Sequence, residues 1–144
     1  MKIVESDFYI STDKNQLDIG LVHDFLSNQS YWAKGRSRET IETSIANSLC
    51  FGVYNSTHQQ VGFARVVSDF SVFAWLLDVF IAGSYRGNGL GKLLIKEIMA
   101  HHSLQSLKRW GLGTQDAHGL YKQFGFKLLT TPQNMMEYIV PKSM

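Results

Sequence analysis

Apolar and polar residues follow two spacings along this chain, and each spacing predicts one kind of element. Alternation with a period of two, or a short apolar run bounded by turn residues, predicts a strand, whereas apolar residues three and four apart predict a helix. The predicted strands cover residues 3–10, 49–54, 60–68, 72–81, 107–112, 126–130 and 135–140. The predicted helices cover residues 17–26, 37–48, a stretch from about 90 to His101, and 117–124.

The order of these elements is β-α-α-β-β-β-α-β-α-β-β, which predicts an α/β fold with one mixed sheet. The three strands between residues 49 and 81 are joined by short turns and are expected to form an antiparallel meander. Gly62 is expected to mark a bulge, while Asp116 and Gly125 are expected to begin and end the last helix. We find no internal repeat or linker, so residues 1–144 are interpreted as a single domain.

A glycine-rich turn stands between the long predicted strand 72–81 and the helix that follows it. It reads Arg86-Gly87-Asn88-Gly89-Leu90-Gly91-Lys92. The first N–H groups of a helix have no internal partner, and the helix dipole places partial positive charge there. Small residues would let an anion approach the bare backbone, so the turn predicts a site for a pyrophosphate. The alternative without a ligand is a tight turn that needs glycine for positive φ.

The spacing of this turn differs from two common phosphate-binding motifs. The third glycine comes one residue too early for the dinucleotide-binding pattern. Leu93 stands where the nucleoside-triphosphate pattern needs a hydroxyl for Mg²⁺. The glycines alone therefore leave the ligand unnamed.

Composition removes several classes of function. Net charge is +2 and the basic residues are scattered, so a nucleic-acid partner is not expected. No apolar run approaches the roughly 18 residues that span a membrane, and no signal-peptide pattern is present, so we expect a cytoplasmic protein without a membrane partner. The single cysteine, Cys50, lies in an apolar stretch and is interpreted as a buried small residue rather than a catalytic thiol. No cluster has the spacing of metal ligands, so no metal is expected.

A second motif, downstream, gives the turn its context. In Ala117-His118-Gly119-Leu120-Tyr121, followed by Gly125-Phe126, the chain resembles the later signature of the GCN5-related N-acetyltransferase (GNAT) superfamily. Arg86, Gly89 and Gly91 match that family's phosphate turn, and the order of elements is similar across nearly the whole chain. The resemblance implies a GNAT-type mixed, mostly antiparallel sheet flanked by helices.

The resemblance also implies a co-substrate, acetyl-CoA, and a place for it. The pyrophosphate is expected on the backbone of residues 87–92, with Arg86 and Lys92 adding charge. The pantetheine arm is expected to pair with the backbone of Val79, Phe80 and Ile81, because a strand that splays from its neighbour exposes unpaired amides. Many relatives have an asparagine seven residues before the signature tyrosine, where it contacts the pantetheine arm. This chain has Thr114 there, whose hydroxyl is expected to replace part of that amide contact.

The implied chemistry is direct attack of a neutral amine on the thioester in a ternary complex. Tyr121 stands at the family's position for the acid that protonates the departing thiolate; its alternative is an amphipathic core residue with an exposed hydroxyl. A backbone N–H near Phe80 or Ile81 is expected to stabilise the oxyanion. Asp78 is the first candidate for the general base, because a carboxylate in an apolar strand needs a purpose or a partner; a structural hydrogen-bonding role is equally open. Asp69 and His118 are further candidates.

The acceptor is expected beside the first two helices and their connecting loop. This places Phe25, Tyr31, Trp32, Arg36 and Arg38 near it. Tyr31 and Trp32 are suited either to gripping a ligand or to packing the loop onto the core. If the two arginines face the pocket, the acceptor carries a carboxylate or phosphate; otherwise they are solvated loop charges.

The sequence therefore predicts an acetyl-CoA-dependent N-acetyltransferase that acts on a primary amine of a small molecule or peptide. Two alternatives stay open: a non-catalytic acyl-CoA-binding module, and a transferase that uses another acyl-CoA. The bulk of Phe73, Trp75 and Phe80 favours a short acyl group. The resemblance is also compatible with a homodimer formed through the last strands.

Overall fold

The protein is described by a computed structural model that covers residues 7–141. Its strands are β1 (Phe8–Ser11), β2 (Leu49–Asn55), β3 (Gln60–Ser68), β4 (Phe73–Ile81) and β5 (Arg109–Leu112). Its α-helices are α1 (Ile19–Asp24), α2 (Arg38–Ala46), α3 (Leu90–Ala100) and α4 (His118–Lys122). A π-helical turn (Phe25–Gln29) extends α1, and 3₁₀ turns cover Lys14–Gln16, Gly83–Tyr85, His102–Leu104 and Pro132–Asn134.

The five strands form one sheet in the order β1-β2-β3-β4-β5, which confirms the predicted α/β class. The first four strands are antiparallel neighbours, as the short turns between them require. β5 lies parallel to β4, because α3 carries the chain back across one face before β5 begins. The sheet is therefore mixed and mostly antiparallel, as predicted.

Two apolar cores cover the two faces of the sheet. Buried residues of α3 and α4, such as Leu94 and Tyr121, pack on one face with Leu76 of β4. Val22 and Ile41, from α1 and α2, pack on the other face with Phe80 of β4. β4 thus contributes to both cores and lies between the two pairs of helices.

A β-bulge divides β4. Leu77 pairs with Arg65 and Phe80 pairs with Phe63, so β4 holds one residue more than β3 over this stretch. Asp78 lies in this stretch with φ of +56°, a conformation that aspartate tolerates better than most residues. The extra residue changes which face each side chain occupies, so Leu76 and Val79 pack into the same core despite their odd spacing.

Most predicted elements form, with small shifts at their ends. The helix predicted at 17–26 begins at Ile19, because the Asp18 carboxylate caps it by accepting from the Leu21 amide (3.1 Å). The strand predicted at 107–112 is shorter, from Arg109 to Leu112. A bulge does lie at Gly62, where Val61 is the extra residue of β3. Of the strand predicted at 3–10, residues 3–6 lie outside the described residues.

Three local predictions are wrong. Asp116 does not cap α4: Ala117 holds that position without a side-chain cap, and the Thr114 hydroxyl accepts from the Ala117 amide (3.0 Å). The strands predicted at 126–130 and 135–140 do not form. A strand needs a neighbour for its N–H and C=O groups. Within residues 7–141 the only strand paired with β5 is β4, and the last residues of this range are largely exposed.

Between residues 7 and 141, no helix combines the length and the apolar character needed to cross a membrane.

Candidate active site

An opening between β4 and β5 is the most distinctive feature of the sheet. The two strands pair only from Phe73 with Arg109 to Leu76 with Leu112. β4 then continues to Ile81, still paired with β3, while β5 ends. Among residues 7–141, β4 therefore has no strand partner on its β5 side from Leu77 onward. Amide and carbonyl groups on this edge are available to an extended ligand that carries amides of its own.

A cavity of about 620 Å³ occupies this opening. Its wall includes Tyr31, Trp32, Trp75, Asp78, Thr114 and Tyr121. Trp75 lies directly against Gly111 of β5, where any side chain would collide with the indole ring. Within the described range, no lysine, arginine or histidine lines this cavity, and its charged lining groups are the carboxylates of Asp78 and Asp116.

The glycine-rich turn connects this opening to the N-terminus of α3. Gly87 (φ +80°) and Gly89 (φ +79°) adopt the left-handed conformation that favours glycine, and Gly89 is the N-cap of α3. Among the described residues, no backbone or side-chain acceptor meets any of the six amides of residues 87–92. A run of bare amides at a helix N-terminus is a site for an anion.

Arg86 is held beside this turn rather than left in solvent. Its Nε donates to the Ile81 carbonyl (3.0 Å), and its guanidinium lies 5.7 Å above the centre of the Phe25 ring. The side chain therefore joins the end of β4 to the turn, and no acceptor among residues 7–141 meets its remaining N–H groups, which can bind an anion. Lys92 is exposed in the first turn of α3.

Tyr121 lies on α4 at the boundary of the cavity. It is 8% exposed and packs edge-on against Phe126, with ring centres 5.9 Å apart. Burial, with smaller contributions from Tyr31 and Asp116, raises the pKa of the Tyr121 phenol to about 12. The phenol therefore stays protonated, and is able to donate a hydrogen bond, throughout the neutral and mildly alkaline range.

Asp78 is the centre of a buried hydrogen-bond network. Its Oδ1 accepts from Trp32 Nε1 (2.9 Å), and its Oδ2 accepts from Arg36 (3.0 Å) and from Nε of Arg65 (2.9 Å). The Asp78 side chain is 2% exposed, and the two arginine side chains are 25% and 12% exposed. Arg65 also donates to the Ser48 hydroxyl (3.2 Å). A buried charge needs such partners, and these partners tie the loop between α1 and α2 to β4.

The loop that carries Tyr31 and Trp32 is fixed on both sides of the opening. Trp32 is bonded to β4 through Asp78, and the Tyr31 hydroxyl accepts from the Gln115 amide on the far side, beyond β5 (2.8 Å). The two rings contact each other edge-on, with centres 5.0 Å apart. Both stay about half exposed (51% and 39%), so each ring keeps a face toward solvent or a ligand.

The remaining candidates lie outside the cavity lining. Phe25 is 5% exposed and stacks on Phe80, with ring centres 4.0 Å apart, so it belongs to the core. Arg36 faces Asp78, and Arg38 pairs with Glu42 on the exposed side of α2 (3.0 Å). Neither arginine lines the cavity, so neither one indicates an acceptor that carries a carboxylate or phosphate.

Two other candidates for the base also lie elsewhere. The Asp69 carboxylate accepts hydrogen bonds from three backbone amides in the turn before β4. These bonds, that from Val72 most strongly, lower the pKa of Asp69. His118 is exposed on α4. Neither side chain lines the cavity between β4 and β5.

The structure adds two residues that the sequence did not single out. Arg65 and Gln115 each make a contact with a residue far away in the chain, and no local motif marks either one. Cys50 is 1% exposed, and burial raises the pKa of its thiol to about 11, in agreement with its interpretation as an inert core residue. Within residues 7–141, no three histidine, cysteine or acidic side chains come together as metal ligands would.

Comparison with known proteins agrees with this geometry. A family model for the acetyltransferase (GNAT) domain matches residues 46–128, which is more than half of the chain. An uncharacterized N-acetyltransferase, ycf52, from Pyropia yezoensis is 30% identical over 87% of this chain and 73% of its own length.

Solved structures share the fold. A Xanthomonas campestris pv. campestris protein (xcc2953), described as belonging to the GNAT family, is 46% identical, with a TM-score of 0.89 over 93% of this chain and 94% of its own. Rv2747 from Mycobacterium tuberculosis, solved in complex with CoA, is only 11% identical and is similar in fold alone, with a TM-score of 0.69 over 83% of this chain and 71% of its own. The family match, the opening between β4 and β5 and the bare amides before α3 lead to one conclusion: this chain belongs to the GNAT acetyltransferases.

Proposed function

We propose that the protein transfers an acetyl group from acetyl-CoA to a primary amine of a small molecule or peptide, by direct attack in a ternary complex. The observation that carries this proposal is the run of six bare amides at residues 87–92, placed at the end of an unpaired strand edge. The first feature suits a pyrophosphate and the second suits a pantetheine arm. Acetyl-CoA carries both groups on one molecule.

The cofactor would lie along β4 with its phosphates at the N-terminus of α3. Amides of Gly87, Asn88, Gly89, Leu90, Gly91 and Lys92 would bind the pyrophosphate, with Arg86 beside them. The backbone of Val79, Phe80 and Ile81 would pair with the pantetheine amides. Thr114, whose hydroxyl already accepts from Ala117, has its O–H left to donate. The fold neighbour Rv2747 binds CoA, which supports this cofactor class.

The acceptor amine would enter the cavity between the Tyr31–Trp32 loop and β4. Aromatic rings line this cavity and no cationic side chain does, so the lining favours an amine with an apolar body over one that carries a carboxylate. The rings would grip the body of the acceptor and leave its nitrogen near the thioester. A backbone N–H near Phe80 or Ile81 would then stabilise the oxyanion that forms.

Tyr121 would donate a hydrogen bond to the departing thiolate. A thiol has an ordinary pKa of about 8.5, so complete proton transfer from a phenol of pKa about 12 is unfavourable by about 5 kcal/mol. We therefore infer that Tyr121 stabilises the leaving sulfur as a hydrogen-bond donor, and that the thiolate is released or protonated by water.

The prediction that Asp78 is the general base stays a prediction, and its hydrogen bonds favour another role. Three donors occupy its two oxygens, and two of them belong to guanidinium groups. Both oxygens are therefore engaged by donors from the loop and from β3, as expected of a buried carboxylate that holds other side chains in place. We propose that Asp78 positions Trp32 and that the ammonium proton of the acceptor leaves through water.

The test is release of free CoA thiol from acetyl-CoA in the presence of a panel of amines. The panel holds matched pairs, each an aryl- or alkyl-amine and the same amine with a carboxylate beside the nitrogen. We expect thiol release with the member of each pair that lacks the carboxylate. Activity only on the carboxylated members would contradict the proposed acceptor, and no release with any amine would favour the acyl-CoA-binding module.

The same assay tests the acyl group. Trp75 closes one side of the cavity, so we expect acetyl-CoA to react faster than succinyl-CoA or longer acyl-CoA. A faster reaction with a longer chain would favour the alternative transferase. The proposal also includes a cytoplasmic location, which cell fractionation tests. It further includes a homodimer.

A further inference from the structure

The Asp116 carboxylate is the charged group of the cavity that the fold itself does not use. Asp116 precedes α4, where an aspartate often caps a helix, but the Thr114 hydroxyl accepts from the Ala117 amide instead. Among residues 7–141, no cationic side chain or hydrogen-bond donor meets the Asp116 carboxylate, whereas three donors occupy the oxygens of Asp78. Asp116 is also exposed. The cavity lining therefore contains one carboxylate that a ligand can reach and pair with.

Two exposed aromatic rings stand beside this carboxylate. The Tyr31 hydroxyl accepts from the amide of Gln115, the residue before Asp116, so the Tyr31 side chain reaches the segment that carries Asp116. Trp32 packs edge-on against Tyr31, with ring centres 5.0 Å apart, and line the same cavity with it. The face of a tryptophan or tyrosine ring attracts a cation. Two rings and one carboxylate together make a site for an organic cation.

The charge of Asp116 acts inside the cavity and not only at its rim. Burial is the largest of the causes that raise the pKa of the Tyr121 phenol to about 12, and Asp116 is among the others. The carboxylate is therefore close enough to influence a group at the inner boundary of the cavity. Since no lysine, arginine or histidine of the described residues lines this space, a positively charged ligand is favoured there.

The reacting nitrogen of the acceptor is poorly matched to this carboxylate. It attacks the thioester only as a neutral amine, and a carboxylate beside it would favour the ammonium form. A cation that stays charged throughout the reaction has no such conflict. The site therefore suits a second positive group of the acceptor, placed at a distance from the nitrogen that receives the acetyl group.

We propose that the acceptor is a small aliphatic diamine and that Asp116 is the residue that selects it. This inference rests on the proposed function. The first nitrogen forms a bond to the acetyl carbon as the carbon–sulfur bond breaks; CoA leaves as the thiolate, and the proton of that nitrogen goes to water. The second nitrogen stays an ammonium and lies between the rings of Tyr31 and Trp32 and the Asp116 carboxylate. An exposed ion pair alone contributes little, so the rings supply the rest of the attraction.

The first test compares cadaverine with n-pentylamine, which has the same carbon chain and only one amine. Release of free thiol from acetyl-CoA gives kcat and KM for each. We expect the KM of the unaltered enzyme to be roughly tenfold lower for cadaverine. Asp116→Asn should raise the KM for cadaverine by roughly tenfold and leave that for n-pentylamine within about twofold, whereas Asp116→Glu, which keeps the charge, should retain most of the preference.

Glu97→Gln is the matched control, because it removes an exposed carboxylate of α3 that does not line the cavity. It should change neither KM. Equal KM values for the two amines in the unaltered enzyme overturn the inference. So does a loss in Asp116→Asn that is the same for both amines, or one that lowers kcat at constant KM, because either result would place Asp116 at the reacting nitrogen. In each of these cases thiol is still released, so the proposed function stands.

The second test does not require turnover. Calorimetry measures the binding of cadaverine and of n-pentylamine to the protein saturated with CoA, which has no acetyl group to transfer. We expect cadaverine to bind roughly tenfold more tightly than n-pentylamine to the unaltered chain, and equally with it to Asp116→Asn. If no amine releases thiol, the proposed function fails, and this measurement decides the inference alone: equal binding of the two amines to the unaltered chain overturns it.

Discussion

The two halves of the proposed active site, one for the cofactor and one for the acceptor, are built in different ways. The cofactor half is made of backbone: the free edge of β4 and the bare amides of residues 87–92. The acceptor half is made of side chains, with Asp78 holding Trp32, Arg36 and Arg65 in one network. The first half needs only glycines and a helix N-terminus, whereas the second needs four side chains from distant parts of the chain.

This difference indicates what each half can tolerate. Amides and strand edges are present in any sequence that adopts the backbone, so the cofactor half depends on conformation at a few positions, above all Gly87 and Gly89. The Asp78 network depends on the identity of each member, because removing one partner leaves a buried charge without compensation. Substitutions should therefore separate the halves: those in the turn should alter cofactor affinity, and those in the network should alter use of the acceptor.

The largest effect is expected at Tyr121, which lies where the two halves meet. Tyr121→Phe removes the donor to the leaving sulfur and keeps the ring, so kcat should fall by roughly 10²-fold or more while the Kd for CoA stays within about twofold. Steady-state kinetics and calorimetry measure the two quantities. The pH profile of the unaltered enzyme should show no loss from Tyr121 below pH about 11, since its pKa is about 12.

Tyr54→Phe is the matched control for this change. Tyr54 is buried on β2, and its hydroxyl has no hydrogen-bond partner in the described part of the chain. Burial raises the pKa of its phenol to about 12 as well. It does not line the cavity, so its loss should leave kcat unchanged. Equal turnover of Tyr121→Phe and the unaltered enzyme would remove Tyr121 from the chemistry.

The sequence predicted the local backbone structure of the glycine-rich turn and α3 well. A β-rich run, three glycines and an amphipathic helix follow one another without a gap, so local rules are enough to place the turn and α3. The splay of β4 from β5 could also be expected from the resemblance. What the sequence could not show is where the pairing stops: β5 ends at Leu112, whereas β4 continues to Ile81.

The side-chain half was predicted only in part. Asp78 and Trp32 were singled out one by one, but their contact joins residues 46 positions apart, and no spacing rule indicates it. Arg65 looked like an ordinary strand residue. Likewise, residues 126–140 have the composition of strands, but composition does not say whether a partner lies in the same chain, and among the described residues none does.

A smaller effect, confined to the cofactor half, is expected at Gly89. Gly89→Val forces a branched side chain into a left-handed position among the bare amides, so the Kd for CoA should rise by roughly tenfold or more. Gly125→Val is the matched control, because Gly125 has a similar φ (+93°) at the end of α4, outside the turn. Both variants should lose similar stability in thermal unfolding. If both lost the same CoA affinity, the effect would come from backbone strain and not from a phosphate site.

The smallest change in rate, and the sharpest test of the acceptor half, is expected at Asp78. Asp78→Asn keeps the shape of the side chain but turns an amide group toward one of its donors, so at least one charge-assisted bond worth about 1.5–3 kcal/mol is lost. If Asp78 positions Trp32, the acceptor KM should rise by roughly tenfold, with the Kd for CoA unchanged and the acid limb of the pH profile retained. The fluorescence emission of Trp32 should also change in Asp78→Asn. Asp116→Asn, which removes a carboxylate from the same cavity without disturbing this network, should leave that emission unchanged.

A general base would give the opposite pattern. Its removal would lower kcat by 10²-fold or more at roughly constant acceptor KM. The positioning role predicts that Trp32→Phe, which cannot donate to Asp78 Oδ1, raises the acceptor KM as Asp78→Asn does. It also predicts that the double variant is little worse than either single one, since both break the same bond. Additive losses would show that Asp78 acts on the reaction independently of Trp32.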